Sequence, residues 1–174
     1  DAMKIEARCT NIIAPVRAAA ERYGQHEAVA ALIVGNEIEK TLVRWMQPQR
    51  VKRFIESLVQ VAKTAAPSCL VSYATYPSTE YLVADNADFF AVNVYLEQRE
   101  AFEKYLQRLH HLAGNKPLVI TEFGIDVAAH GEARQAEVRA WFQDACARHG
   151  VAGTVWFAFT DEWHRGGEDV TTWQ

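Results

Sequence analysis

Residues 28–37 read AVAALIVGNE, a continuous apolar run that ends on Gly35, Asn36 and Glu37. An apolar run without polar alternation fits a strand covered on both faces, as the strands of parallel sheets are. The same design recurs as CLVSYAT at 69–75, FFAVNVY at 89–95, LVITE at 118–122 and TVWFAF at 154–159. Helical patterns separate these runs. Residues 10–23 place Ile12, Ile13, Val16, Ala20 and Tyr23 on one side, and Gly24 ends the pattern. Pro48 opens a second helix that runs to about residue 66, with Val51, Phe54, Ile55, Leu58 and Val61 at helical spacing. A short helix is expected at 78–85, and longer ones at 98–113 and 132–149. No two strands read as a hairpin.

Helix, then strand and helix in alternation, implies an α/β fold with five parallel strands joined by right-handed crossovers. Two architectures satisfy that: a doubly wound sheet and a (β/α)₈ barrel. A nucleotide-binding doubly wound sheet usually carries a Gly-rich turn after a strand, and neither G-x-G-x-x-G nor a P-loop occurs here. In a barrel, chemistry gathers where strands end at the C-terminal mouth. The polar residues of this sequence sit there: Asn36-Glu37, Tyr76, Asn93 with Tyr95, Thr121-Glu122, and Thr160-Asp161-Glu162-Trp163-His164. A carboxylate closing a buried strand is costly unless it is solvated, hydrogen-bonded or used.

Composition narrows the function classes. The chain has 174 residues, 49% hydrophobic and 23% charged, which excludes a disordered tail and a small disulfide scaffold. The net charge of −4 offers no general attraction for nucleic acid or an anionic membrane surface. No apolar run is long enough to span a bilayer, and no leader-like segment is visible. Cys9, Cys69 and Cys146 are isolated, so no cysteine zinc site is expected, and a reducing, cytoplasmic setting is mildly favoured. His110-His111 suits a helix C-terminus rather than a metal. Asp126 and His130 are assigned no chemistry.

Glu37 and Glu122 lie 85 positions apart. At roughly 31 residues per β/α unit of a barrel, that is roughly three units. Strands three apart face each other obliquely across a closed mouth, where two inward carboxylates can approach to about 5 Å, the spacing used by retaining glycosidases.

VGNEI at 34–38 followed by LVITEFGID at 118–126 resembles the clan A retaining glycoside hydrolases with (β/α)₈ barrels. The nearest branch is the family 2-like barrels. The stretches SYATYPSTEYL, FFAVNVYLE and TDEWHRGGEDVTTW are similar to glycosidase-like domains found beside bacterial glycosyltransferase domains. The resemblance covers residues 16–174. It implies a partial TIM barrel, strands four to eight, with Glu37 as acid/base and Glu122 as nucleophile. It further implies that Asn36 meets the sugar 2-hydroxyl and that Tyr95 orients the nucleophile. An aromatic from the last strand floors the sugar site, with Trp156 and Trp163 both open as candidates. Asp161 is a further candidate for a sugar hydroxyl.

Retention requires one protonated carboxyl group to protonate the leaving oxygen and one ionised carboxylate to attack. No metal or cofactor is needed. The expected partner is an oligo- or polysaccharide. An accessory glycan-binding module attached to a glycosyltransferase is the alternative, although pure binding needs no pair of facing acids. A barrel enzyme of central metabolism is disfavoured by the missing phosphate-binding Gly loop.

Five strands do not close a barrel. The whole chain is therefore expected to be the C-terminal part of one barrel, with no second domain and with the first three strands lying in a longer protein. Two open sheet edges follow, at 28–34 and 154–159, and such edges invite self-association. Alone, the fragment is expected to hydrolyse little.

Overall fold

The computed structural model describes residues 2–159, 163–165 and 168–170, with side chains described from 11 to 159. Its elements alternate as the apolar runs require. Helix α1 (Ala2–Tyr23) leads to strand β1 (Ala31–Asn36), then α2 (Lys40–Met46) and α3 (Pro48–Ala65). Strands β2 (Leu70–Thr75) and β3 (Phe90–Asn93) follow, then α4 (Arg99–Ala113) and β4 (Leu118–Phe123). The described chain closes with α5 (Val127–His130), α6 (Glu132–Arg148) and β5 (Gly153–Trp156), and a hairpin of β6 (Trp163–Arg165) and β7 (Glu168–Val170).

The five strands β1 to β5 form one sheet in the order β1-β2-β3-β4-β5, every neighbouring pair parallel. The order never reverses. A doubly wound sheet turns back at a switch point, so this sheet is a segment of a (β/α)₈ barrel. Strands β1 and β5 are its edges.

The helices pack on one face. There Val71, Leu82 and Tyr73 bury with Val51, Ile55 and Val59 of α3 and Ala20 of α1. Beside them Phe90, Val92, Leu118 and Ile120 bury with Phe102, Leu106 and Leu109 of α4 and Phe142 of α6. Phe142 stacks between Phe102 and Phe123, at 3.9 and 4.1 Å between ring centroids. The other face carries the small cluster of Ala74, Phe89 and Ala91, with Ala31 and Val119 beside it, and no helix among the described residues. Gly24 allows α1 to approach α3, because a Cβ there would stand 2.3 Å from Ala66 Cβ. Cys69 and Cys146 are free and buried, and burial pushes the Cys146 thiol up to about 12. The Cys9 side chain lies outside the described residues.

Several expectations are corrected. No helix forms at 78–85. Successive turns replace it, with Thr79 N donating to Tyr76 O, Leu82 N to Thr79 O, and Thr75 Oγ1 to Thr79 O. Side-chain and turn hydrogen bonds of this type compete with the helical ladder. Strand β5 stops at Trp156 rather than 159, and β6 and β7 do pair antiparallel. Two short helices were not foreseen. Glu39 caps α2 by accepting from Thr41 N and Leu42 N, and Asp126 caps α5 by accepting from Ala128 N. Finally, β1 is not covered on both faces: Ile33 is 40% exposed, because the strand is an edge of the sheet.

Candidate active site

The C-terminal ends of β1, β3 and β4 each depart from regular pairing, between Ile33 and Asn36, Val92 and Asn93, and Ile120 and Phe123. Irregularities of this kind re-aim side chains at a sheet rim. They bring Asn36, Glu37, Asn93, Thr121 and Glu122 to one mouth. Glu37 has φ 47°, in the left-handed region that costs a non-glycine residue about 1 kcal/mol. Its backbone is held there: Glu37 N donates to Ala74 O at 3.0 Å, and Ile38 N donates to Tyr73 Oη at 2.9 Å.

Asn93, only 1% exposed, is the hub. Its Nδ2 donates to Glu37 Oε1 at 2.8 Å and to Asn36 Oδ1 at 3.0 Å. Its Oδ1 accepts from Thr121 Oγ1 at 2.7 Å. Asn93 also pairs in register with Glu122, whose carbonyl accepts from Val94 N at 2.8 Å. Across the mouth Tyr95 Oη donates to Glu122 Oε2 at 2.7 Å.

Four influences act on Glu122. Burial raises its carboxyl above the usual carboxylate range, and the negative charge of Glu37 adds to this. The donors Tyr95 and Asn93 pull it down, and the net direction is up. Tyr95 is itself raised, first by burial, then by its bond to Glu122 and the charges of Glu122 and Glu37. The two carboxylates thus feel each other, one hydrogen-bonded by an amide and the other by a phenol. Tyr95 and Asn93 thus hold the Glu122 carboxylate against the burial and charge that favour its protonation.

Of the residues expected at the site, Asn36, Glu37, Tyr95 and Glu122 come together. Trp156 does not. Its ring meets Phe123 edge-on at 5.0 Å and packs on the helix-side core, so it faces away from the mouth. The next residue, Phe157, reaches the mouth instead: its ring is T-shaped on Tyr95 at 6.5 Å, and it is 37% exposed. The Trp163 side chain and Asp161 lie outside the described residues. Asn93 and Thr121 stand among the polar strand ends read from the sequence but were assigned no role there, and Phe157 was not expected at the site. The signal for Asn93 was a lone amide inside FFAVNVY, an otherwise apolar and aromatic run.

The sequence profile of the glycosyl hydrolase catalytic core matches residues 10–171, and the chain belongs to that family. No match was found among curated proteins. Among solved structures, the chain is similar to a β-glucuronidase from Ruminococcus gnavus in complex with D-glucuronic acid, with TM-score 0.74, 20% identity, and coverage of 88% of this chain and 30% of that one. A Bifidobacterium dentium β-glucuronidase complexed with coumarin-3-O-glucuronide gives TM-score 0.70 and 16% identity, covering 88% of this chain and 28% of that one. The GH5_18 protein of Streptomyces cattleya in complex with GlcNAc gives TM-score 0.71 and 15% identity, covering 86% and 43%. The chain therefore spans less than half the length of each of these structures, and what it shares with them is the glycosidase barrel fold.

No helix among the described residues is long and apolar enough to cross a membrane.

Proposed function

We propose that this mouth is the catalytic end of a retaining β-glycosidase or transglycosidase, with Glu122 as nucleophile and Glu37 as acid/base. The observation that carries the reading is the pair of carboxylates at the C-terminal ends of β1 and β4, three strands apart, one bound by Asn93 and the other by Tyr95. Glu122 attacks the anomeric carbon while Glu37 gives its proton to the departing oxygen. The product is a glycosyl ester on Glu122. Glu37, now ionised, takes a proton from water or a sugar hydroxyl, which attacks the same carbon and releases the Glu122 carboxylate. Asn36 meets the 2-hydroxyl. Phe157 supplies the flat apolar face under the ring in place of Trp156, with Trp163 and Asp161 kept as further substrate contacts.

The substrate class is an oligo- or polysaccharide, supported by the family and by the sugars named with the similar structures. The chain is then the C-terminal five strands of one barrel, and the remaining pocket wall comes from three further strands of a longer protein. Glycan binding alone would leave the paired acids without a role. The test uses the full-length protein and aryl β-glucosides, galactosides, glucuronides and N-acetylglucosaminides. Glu122→Gln abolishes turnover and removes covalent trapping by a fluorosugar, read by mass spectrometry. Full activity in the folded variant refutes the nucleophile.

A further inference from the structure

The hydrogen bonds around Asn93 run in one direction, from Thr121 through the amide to Glu37 and Asn36. The Asn93 amide nitrogen faces Glu37 Oε1 at 2.8 Å, so that oxygen is the acceptor, whether the carboxyl is ionised or carries its proton on Oε2. The same nitrogen faces Asn36 at 3.0 Å, so Asn36 must present its carbonyl oxygen to it. The Asn93 amide nitrogen thus serves only acceptors of this mouth, Glu37 and Asn36 directly and Glu122 besides. The amide oxygen faces Thr121, whose single hydroxyl proton must point at it across 2.7 Å. Asn93 is buried, so water does not compete for these positions.

We infer that Thr121 and Asn93 form a one-way relay that positions the acid/base: Thr121 locks the Asn93 amide, and Asn93 decides which atom of Glu37 and of Asn36 is turned toward substrate. This rests on the reading of Glu37 as acid/base. With Oε1 held as an acceptor, the transferable proton of Glu37 sits on Oε2. With its carbonyl turned inward, Asn36 offers only N–H donors to the sugar. Neither Asn93 nor Thr121 exchanges a proton with substrate, so both are positioning residues. The relay starts on the strand that carries the nucleophile and ends on the strand that carries the acid, which couples the geometry of the two carboxylates.

A positioning role for the acid has a signature that loss of fold lacks. Protonation matters for a poor leaving group and hardly at all for dinitrophenolate, which departs unaided. The experiment measures kcat/KM of the full-length protein on phenyl and dinitrophenyl members of whichever aryl β-glycoside series it turns over. Glu37→Ala is the reference variant. Asn93→Ala and Thr121→Val are compared with it, and Thr121→Val keeps the side-chain shape if the buried Asn93 site proves too sensitive. Both are expected to lose about 10²-fold on the phenyl glycoside and far less on the dinitrophenyl glycoside. Thr121→Ser, which keeps the donor, recovers most of the loss. Equal losses on both substrates, or no loss, in variants with native circular dichroism overturn the relay while Glu37 stands. If Glu37→Ala itself shows no dependence on leaving group, the acid/base assignment falls and the inference falls with it.

Discussion

Gly124 lies two residues beyond Glu122, and the closeness of its backbone to Phe157, the residue after strand β5, gives the sharpest test of how the mouth is built. A Cβ on Gly124 would stand 2.4 Å from the carbonyl oxygen of Phe157 and 3.9 Å from Tyr95 Cε1. Carbon and oxygen normally approach to about 3.3 Å, so Gly124→Ala must part the two segments by about 1 Å. The obstacle is backbone and cannot rotate away. Overpacking of this kind costs about 1–3 kcal/mol, offset by about 0.4–1 kcal/mol of reduced unfolded-chain entropy. The net loss is about 1–2 kcal/mol, which for a chain of this size lowers Tm by about 2–8 °C. The displaced residue is Phe157, whose ring rests on Tyr95, which in turn holds Glu122. A shift of about 1 Å in a positioned group can cost about 10²-fold in rate. Gly153→Ala in the same strand is the control: its nearest atom would be Val119 Cγ1 at 3.8 Å, an ordinary contact. Calorimetry and kcat/KM on the full-length protein give both readouts. A Gly124→Ala protein with native Tm and native kcat/KM would refute the close approach, as would equal damage from Gly153→Ala.

Two further outcomes are expected. Tyr95→Phe keeps the ring against Phe157 but removes the donor that pulls Glu122 down. The Glu122 carboxyl then rises further, so a larger share is protonated at a given pH, and the acid limb of the kcat/KM profile moves to higher pH; an unmoved limb, or one moved to lower pH, contradicts the assignment. The isolated chain, with β1 and β5 as open edges and Ile33 and Val155 exposed on them, is expected to self-associate. Light scattering that shows a stable monomer at micromolar concentration removes that expectation.

Much of the architecture was legible because strand burial in a parallel sheet writes itself as apolar runs, and helical faces as spaced Leu, Ile and Phe. AVAALIV, FFAVNVY and LVITE needed no structure to be recognised as strands. The segment 77–89 was not legible, because residues spaced like a helix instead bury Leu82 and Ala84 from successive turns. The sequence offered Trp156 and Trp163 as the aromatic of the last strand and not Phe157, which stands beside Trp156. Trp156 and Phe157 are both aromatic, and which one faces the mouth depends on the irregular pairing of β4 with β5.

The sequence by itself determined the order of elements and the position of two glutamates at strand ends, since both are local properties of the chain. Only the tertiary structure decided that the strand order never reverses, which makes the sheet a barrel segment. It alone decided that Asn93, Thr121 and Asn36 join Glu37 in one directed set of hydrogen bonds. That set joins residues from three strands, and neither its partners nor the direction of its donors exists until those strands are side by side.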